Sequence, residues 1–130
     1  GSDSYHALML LWPDAEDWPE GGEIDFVEIM DGSRQGAEMF LHYGEDNSQV
    51  SDSVDIDATQ WHNWAVEWTP DRVVAYVDGE EWFRSEDPKT LPKPSEIVPH
   101  LVEMGSPSFQ RTNVLFEFPS LSYTEWPDAA

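Results

Sequence analysis

Three carboxylic acids lie within six residues of an otherwise apolar segment, at Glu23, Asp25 and Glu28. Their immediate neighbours are Ile, Phe and Val, so the segment is expected to be buried on at least one face. Burying a carboxylate without compensation costs several kcal/mol, and like charges placed close together repel each other. The triplet is therefore a candidate for catalysis in which one carboxylate attacks a substrate and another transfers a proton.

The spacing of the acids has a consequence for their direction. On a regular β-strand Glu23 and Asp25 share one face, whereas Glu28, five positions after Glu23, points to the other. A β-bulge between Asp25 and Glu28 would return Glu28 to the face of Glu23. The two Glu side chains would then flank Asp25, a spacing compatible with the roughly 5–5.5 Å between carboxyl groups in retaining glycosidases. We therefore predict one bulge and a coupled titration of the three carboxyl groups.

The elements that must position these acids are predicted to be short strands. Apolar residues mostly alternate, and no stretch keeps helical spacing for long, which indicates an all-β protein. The length of 130 residues and a hydrophobic content of 39% fit one domain over 1–130. Asp78-Gly79 predicts a tight hairpin turn, and the proline-rich segment Ser85–Pro99 predicts a loop. The predicted strands are Tyr5–Trp12, Glu23–Met30, Ala37–Tyr43, His62–Trp68, Arg72–Val77, Glu80–Arg84, Ile97–Met104, Thr112–Phe118 and Leu121–Trp126.

The charge balance narrows the classes of partner. The chain has 27 Asp and Glu against 6 Lys and Arg, a formal net charge of −21. Nucleic acids and anionic membranes are disfavoured, because both need clustered cations, and a neutral polysaccharide fits better. Selection for solubility in salt would explain the same acidity equally well. The absence of Cys excludes disulfides, and no apolar run approaches the roughly 18 residues of a membrane-spanning helix.

The segment Trp18–Glu28 resembles the catalytic signature of glycoside hydrolase family 16 in its bulged, laminarinase-like form. Ala7–Leu11 resembles the strand before the signature, Phe40–Gly44 the strand after it, and His62–Gly79 a downstream block. The resemblance covers about Tyr5 to Phe83. It implies a jelly-roll sandwich of two curved antiparallel sheets, of the concanavalin A-like kind, with a cleft for a β-linked glucan.

The resemblance also implies residue roles. Glu23 would be the nucleophile, Asp25 the assisting carboxylate and Glu28 the acid/base. Trp18 would be the sugar platform, since a Trp ring stacks well on the apolar face of a pyranose, and His42 a polar neighbour of the catalytic strand. The implied activity is that of a retaining endo-β-1,3-glucanase or mixed β-1,3/1,4-glucanase that needs no cofactor.

Several aromatic residues have two open readings. Trp12 is a candidate substrate-binding residue, but core packing is as good an explanation. His42 is equally open as a satisfied interior histidine. We expect the remaining tryptophans of the matched region to be core or rim residues, namely Trp61, Trp64, Trp68 and Trp82.

No metal is assigned from the sequence. The acidic strand offers few of the six to eight oxygen ligands that calcium takes. Family members place an Asp that helps to bind structural calcium where this chain has Pro119. The prediction is therefore an enzyme without a cofactor and with no assigned metal site, and structural calcium is an open alternative that the sequence does not support.

The family pattern also leads to expectations about completeness and location. Family members carry further strands before the equivalent of Tyr5, so we expect sheets that are incomplete or are completed by another copy or chain. A homodimer through the open sheet edges is expected on that basis. Gly1-Ser2 resembles a tag remnant, and the native protein is expected to be secreted through a leader absent from this sequence. A binding module with weak or absent catalysis and a strand-exchanging fragment remain alternative classes.

Overall fold

The computed structural model describes residues 7–92 in full and the backbone of 97–100. These residues form strands and turns, and among them no helix is both long and apolar enough to span a lipid bilayer. The strands in chain order are β1 (Ala7–Pro13), β2 (Glu23–Ile29), β3 (Gly36–Tyr43), β4 (Ser48–Asp55), β5 (Trp64–Thr69), β6 (Arg72–Val77), β7 (Glu80–Ser85) and β8 (Ile97–His100).

The strands form two open antiparallel sheets. One has five strands in the order β4-β3-β2-β1-β8, and the other has three in the order β5-β6-β7. Neighbouring strands pair antiparallel throughout both sheets. The prediction of an all-β jelly-roll sandwich is confirmed. The acidic strand β2 lies in the middle of the larger sheet, where hydrogen bonds on both sides fix its backbone.

The hydrophobic core fills the space between the two sheets. Each sheet contributes one face of alternating apolar residues, as expected for sheet-on-sheet packing. Ile24, Met39, Leu41, Val73 and Ala75 are each 0% exposed. Because period-two alternation places these residues on the inner face, the other face of β2 is left for its polar side chains. The remaining core members include Met9, Leu11, Phe26, Val27, Ile29, Ala37, Trp64, Val77 and Phe83.

The aromatic residues divide much as predicted. Trp64 is buried in the core, and Trp68 and Trp82 are partly buried and pack against it. Trp61 lies outside this cluster with 50% of its surface exposed. Of the two predicted positions for Trp61, the rim agrees with this exposure and the core does not.

The Asp78-Gly79 hairpin is confirmed. Both residues have positive φ, 52° for Asp78 and 85° for Gly79, as a two-residue turn between twisted strands requires. Val77 pairs with Glu80 directly across this turn.

The predicted homodimer through sheet edges stays a prediction.

Some predicted boundaries need correction. Strand β4 was not predicted, because only Val50 and Val54 of this polar segment pack against the core. Strand β5 begins at Trp64 rather than His62. His62 and Asn63 instead form hydrogen bonds with the side chain of Asp78, which lies in the turn between β6 and β7. Of the predicted strand Ile97–Met104, β8 covers Ile97–His100, so the predicted loop Ser85–Pro99 ends before Ile97. The predicted strands Thr112–Phe118 and Leu121–Trp126 lie outside the described residues.

Candidate active site

A β-bulge in β2 brings the three acids to one face of the five-stranded sheet. Asp25 pairs with Phe40 on β3, but the next pair is Glu28 with Glu38. Phe26 and Val27 of β2 therefore oppose Met39 alone, and on the β1 side Phe26 falls between the pairs made by Asp25 and Val27. Residues paired directly across two strands share a face. The predicted bulge is thus confirmed.

A glycine-containing turn brings an aromatic ring onto this face. The Gly21 N–H donates to the Asp17 carbonyl at 3.0 Å. A Cβ on Gly21 would lie 2.2 Å from Asp17 Oδ1, and Gly22 has a φ of +82°, so neither position accepts a side chain without strain. The turn ends where β2 begins, and it places the Trp18 side chain next to that of Glu23.

Two tryptophans form a wall beside the acids. Trp18 donates its Nε1–H to Glu23 Oε2 at 2.7 Å, yet 39% of its surface remains exposed. The Trp12 ring stacks on the Trp18 ring with a centroid distance of 6.1 Å and an interplanar angle of 10°. Trp12 in turn donates its Nε1–H to Glu16 Oε2 at 3.2 Å. The exposed face of this pair, which we call the tryptophan wall (Trp12 and Trp18), offers a flat apolar surface next to the carboxyl groups.

His42 connects Asp25 to two amide side chains. Its Nε2 lies 3.1 Å from Asp25 Oδ2. Its Nδ1 lies 2.7 Å from Asn47 Oδ1 and 3.1 Å from Gln49 Nε2. Gln49 is in reach because it pairs with His42 across β3 and β4. Asp25 is 4% exposed, and its buried Oδ1 has no hydrogen-bond partner within the described part of the chain.

The surroundings of Glu23 favour its neutral form. Burial is the largest cause, followed by repulsion from Asp25 and the hydrogen bond that a protonated Glu23 makes to Asp25. The positive charge of His42 and the Trp18 N–H act in the opposite direction, and the net result raises the pKa of Glu23 to about 7. A carboxyl group with this pKa exchanges its proton near neutral pH, as catalytic carboxyl groups do.

The surroundings of His42 favour its charged form. The hydrogen bond to Asp25 is the main cause and outweighs burial, which acts to lower the value. The Asn47 hydrogen bond and the charges of Asp25 and Glu23 add to the effect, so the pKa of His42 rises to about 9. At neutral pH His42 is therefore a cation paired with the Asp25 carboxylate.

The same side chains include one set that could ligate a metal. Glu23, Asp25 and His42 each offer a donor atom, and the three atoms lie within 4.8 Å of one another. A mixed set of nitrogen and oxygen donors suits a transition metal better than calcium. The prediction of no metal and no cofactor stays a prediction.

Sequence comparison agrees with this geometry. The model of glycosyl hydrolases family 16 matches residues 5–108 of the 130. The chain belongs to glycosyl hydrolase family 16. No curated protein matches the chain significantly.

Solved structures of family 16 enzymes share the fold. One is a mutant of SCLam, a non-specific endo-β-1,3(4)-glucanase of this family, with 1,3-β-D-cellobiosyl-glucose at its active site. It is 24% identical to this chain with a TM-score of 0.64, and the match covers 78% of this chain and 45% of that chain. The laminarinase catalytic domain from Thermotoga maritima is 16% identical with a TM-score of 0.62, covering 81% and 49% respectively. A structure from work on endo-acting O-glycanases of the human gut microbiota, which initiate mucin breakdown, is 24% identical with a TM-score of 0.61, covering 79% and 51%. The chain thus spans about half the length of these structures.

Most of the predicted site residues of this family 16 chain contact one another. Glu23, Asp25, His42 and Trp18 are joined by hydrogen bonds, and Trp12 joins them by stacking on Trp18. Glu28 is on the same face by its pairing with Glu38. Asp25 also pairs with His42, a contact that the sequence did not predict. Asn47 and Gln49 were missed, and the only available signal was the turn residue Gly44 after β3, which predicts a hairpin that would return the chain to His42.

Proposed function

We propose that the chain is a retaining endo-β-glucanase that hydrolyses internal bonds of a neutral β-1,3-glucan or mixed β-1,3/1,4-glucan by double displacement. The observation that carries the proposal is the bulge, which sets Glu28 on the face of Glu23 and Asp25. Membership of family 16 supports the wider class of glycoside hydrolases. The residue roles and the substrate are the proposed part.

In the first step the Glu23 carboxylate attacks the anomeric carbon of the sugar. The bond to the leaving glycosidic oxygen breaks while Glu28 gives that oxygen its proton. In the second step the Glu28 carboxylate takes a proton from water, the water oxygen attacks the same carbon, and Glu23 leaves with its electron pair. The two inversions together retain the β-configuration.

Asp25, His42 and Trp18 would prepare Glu23 for attack. Glu23 must be ionised to act as a nucleophile, but burial and the Asp25 charge oppose this. The Trp18 N–H, 2.7 Å from Glu23 Oε2, and the His42 cation both stabilise the carboxylate. Because His42 is paired with Asp25, it also limits the repulsion that Asp25 exerts on Glu23. These three residues would thus keep the pKa of Glu23 near neutral pH, where Glu23 can lose its proton and attack the sugar.

The substrate class rests on two features. The tryptophan wall presents an apolar ring surface beside Glu23, which suits a pyranose ring. The net charge of −21 disfavours sulfated or other anionic polymers. SCLam, which shares this fold, is a non-specific endo-β-1,3(4)-glucanase, and the structure from work on endo-acting O-glycanases makes mucin O-glycans the second substrate to test.

The test is ¹H NMR of the anomeric protons during hydrolysis. Laminarin, mixed-linkage β-glucan and mucin O-glycans are each incubated with the chain and with Glu23→Gln. The expected result is release of β-anomer from a β-glucan before mutarotation, absent with Glu23→Gln. Initial release of the α-anomer would contradict the double displacement, and cleavage of mucin O-glycans alone would contradict the glucan assignment.

Azide separates the roles of the two Glu residues. With an activated aryl β-glycoside, azide should restore turnover of Glu23→Gly as an α-glycosyl azide, because it replaces the missing nucleophile. With Glu28→Gly, azide should attack the sugar held on Glu23 and give the β-glycosyl azide. The opposite pairing of variants and products would reverse the assigned roles.

A binding module is the second candidate, and the tryptophan wall is the observation that favours it. The stacked rings of exposed Trp18 and partly buried Trp12 could hold a polysaccharide without cleavage. Retention of the chain on laminarin with no reducing ends released, unchanged in Glu23→Gln, would select this function.

Since intact glucans do not cross membranes, the enzyme proposal includes an extracellular location. Activity of the native protein in cells alone, and none in the culture medium, would contradict that location.

A further inference from the structure

His42 Nδ1 faces two amide groups with opposite hydrogen-bonding character. The Asn47 Oδ1 atom, a pure acceptor, lies 2.7 Å away, and the Gln49 Nε2 atom, a pure donor, lies 3.1 Å away. An imidazole nitrogen carries either a proton or a lone pair at any moment. His42 Nδ1 can therefore donate to Asn47 or accept from Gln49, but cannot do both at once.

We propose that Asn47 and Gln49 are opposed positioning residues for His42. Asn47 stabilises the charged imidazolium by accepting the Nδ1–H, and Gln49 stabilises the neutral ring by donating to the Nδ1 lone pair. In both states the proton on Nε2 is kept, and it donates to Asp25 Oδ2, 3.1 Å away. The pair thus keeps an N–H on Asp25 on both sides of the His42 titration. The catalytic consequence rests on the proposed function, but the effect on His42 does not.

The two amides reach His42 from different elements. Asn47 lies in the turn between β3 and β4, where it has a φ of 54° and its N–H donates to the Gly44 carbonyl at 3.1 Å. Asn tolerates this left-handed backbone better than most residues. Gln49 is on β4, directly opposite His42 in the register. The acceptor is therefore fixed by a turn and the donor by a strand pair.

The other groups around His42 do not provide this pairing. Asp25 and Glu23, both on β2, are the charged groups that act on His42, and both raise its pKa. The rings of Trp18, from the turn before β2, and Phe40, on β3, lie near the His42 ring at centroid distances of 6.0 and 6.4 Å, tilted against it by 54° and 42°. The Asn47 hydrogen bond also raises the pKa of His42, after the Asp25 bond and against burial. The neutral amides of Asn47 in the turn and Gln49 on β4 thus adjust the pKa of His42, which the acids on β2 mainly raise.

The alternative tautomer would damage the site. If the neutral ring carried its proton on Nδ1, it would present a lone pair at Nε2 to the Asp25 carboxylate, and the two would repel. Asp25 Oδ2 would then lose the hydrogen bond from His42, while Asp25 Oδ1 already lacks a partner among the described residues. Gln49 disfavours this tautomer because its N–H needs the lone pair on Nδ1.

Nitrogen-15 NMR of the imidazole tests the proposal without any need for turnover. The His42 signals are identified by their loss in His42→Gln, and their pH titration gives the pKa and the protonated nitrogen. Asn47→Gly removes the acceptor and still accepts a positive φ, so it should lower the His42 pKa by roughly one unit. Gln49→Leu removes the donor to the neutral ring and should raise the pKa. Asn47→Asp, the conservative variant, should raise it as well.

Three results would overturn the opposed action. The first is a pKa shift of the same sign in Asn47→Gly and Gln49→Leu, and the second is no pKa shift in Asn47→Gly despite a folded protein. The third is a neutral wild-type His42 ring with its proton on Nδ1.

Kinetics then test the link to catalysis. Because the amides act through His42 and Asp25, Asn47→Gly should lower kcat roughly tenfold with little change in KM, and Asn47→Asp should restore most of the loss. A rise in KM with an unchanged kcat would make Asn47 a sugar contact and overturn the positioning role. If the chain shows no hydrolysis but the NMR shifts are opposed, the proposed function fails and the amide pairing stands.

Discussion

Acidic side chains have opposite environments on the two sheets. On the three-stranded sheet, Glu67 accepts from Arg72 Nε at 2.8 Å, and Glu81 accepts from Arg84 Nη2 at 2.6 Å. These arginine hydrogen bonds are the main cause that lowers the pKa of both acids. On β2, Glu23 and Asp25 are 8% and 4% exposed, and their cationic partner is a histidine. The pKa of Glu23 rises to about 7 there, chiefly because of burial.

The difference separates exposed acids paired with arginine from buried acids paired with a histidine, and the buried ones are the proposed catalytic residues. Exposed pairs with arginine contribute little to stability, typically about 0–1 kcal/mol, and stay ionised at all ordinary pH values. Buried carboxyl groups with incomplete neutralisation destabilise the fold unless other contacts offset them. In this chain the reverse face of β2 provides that offset, through Ile24 and Val27 in the core. Three predictions compare matched residues from the two parts of the molecule to test this separation, and a fourth follows the stability of the wild type and Glu23→Gln with pH.

The largest contrast is expected between Glu23→Gln and Glu67→Gln. Glu23→Gln removes the proposed nucleophile and should reduce hydrolysis of laminarin by at least about a thousandfold. Glu67→Gln changes the same atoms at an arginine-paired surface position and should leave the rate within about twofold. Release of reducing ends measures both. Similar losses in the two variants would show that the effect reports folding rather than chemistry.

The next contrast compares two histidine–aspartate pairs. Asp25→Asn removes the main cause of the raised His42 pKa, so this pKa should fall, and activity should fall about a hundredfold. Burial acts to lower the pKa of His62, but its bonds to Asp78 and to the Asp57 carbonyl outweigh this and raise it. Asp78→Asn should therefore lower the His62 pKa as well. Activity should be preserved in Asp78→Asn, and a comparable loss there would remove the distinction between the pairs.

Two glycines with positive φ form a third matched pair. Gly22 has a φ of +82° and Gly79 a φ of +85°, so replacement by Ala should cost each about 1 kcal/mol of stability. A Cβ on Gly22 would also lie 3.1 Å from Pro92 and 3.3 Å from the His42 carbonyl, whereas a Cβ on Gly79 would have no atom of the described residues within 4 Å. Gly22→Ala should therefore lower kcat roughly tenfold, and Gly79→Ala should not. Urea unfolding and initial rates measure the two effects separately, and equal rates in the two variants would contradict the placement of Gly22.

The last expected effect is the dependence of the free energy of unfolding on pH. The pKa of Glu23 rises from 4.5 to about 7 on folding, so its contribution to stability is complete below pH 4.5 and is lost as the pH rises towards 7. His42 does not interfere below pH 6.5, since its pKa rises from 6.5 to about 9 and its contribution is lost only above that range. Between pH 4.5 and 6.5 the wild type should lose about 1–2 kcal/mol relative to Glu23→Gln, after allowance for solvent screening. Parallel unfolding curves for the two proteins over this range would count against a buried neutral Glu23.

Much of the acidic side of this comparison could be predicted from the sequence. The apolar residues between Glu23 and Glu28 require a buried strand, and their spacing requires a bulge if the acids share a face. The Asp78-Gly79 turn likewise fixes the β6–β7 hairpin, because few residue pairs accept two positive φ angles. These elements are local, so the signal and the structure lie in the same few residues.

The polar surroundings of His42 could not be predicted in the same way. Strand β4 carries only Val50 and Val54 towards the core, so its alternation is too weak to indicate a strand. The pairing of His42 with Gln49 depends on the length of the Gly44–Asn47 turn, which sets the register of the hairpin. The cationic state of His42 then follows from tertiary contacts with Asp25 and Asn47 that no single segment contains.

Covalent trapping tests the shared face of Glu23 and Glu28 most directly. A 2-deoxy-2-fluoro β-glucosyl donor with a good leaving group slows both steps and should accumulate the glycosyl-enzyme. Mass spectrometry of the digested protein is predicted to find one sugar, attached to Glu23, and its release should depend on Glu28. A label on Glu28, or turnover of natural substrate with no label on either residue, would contradict the account.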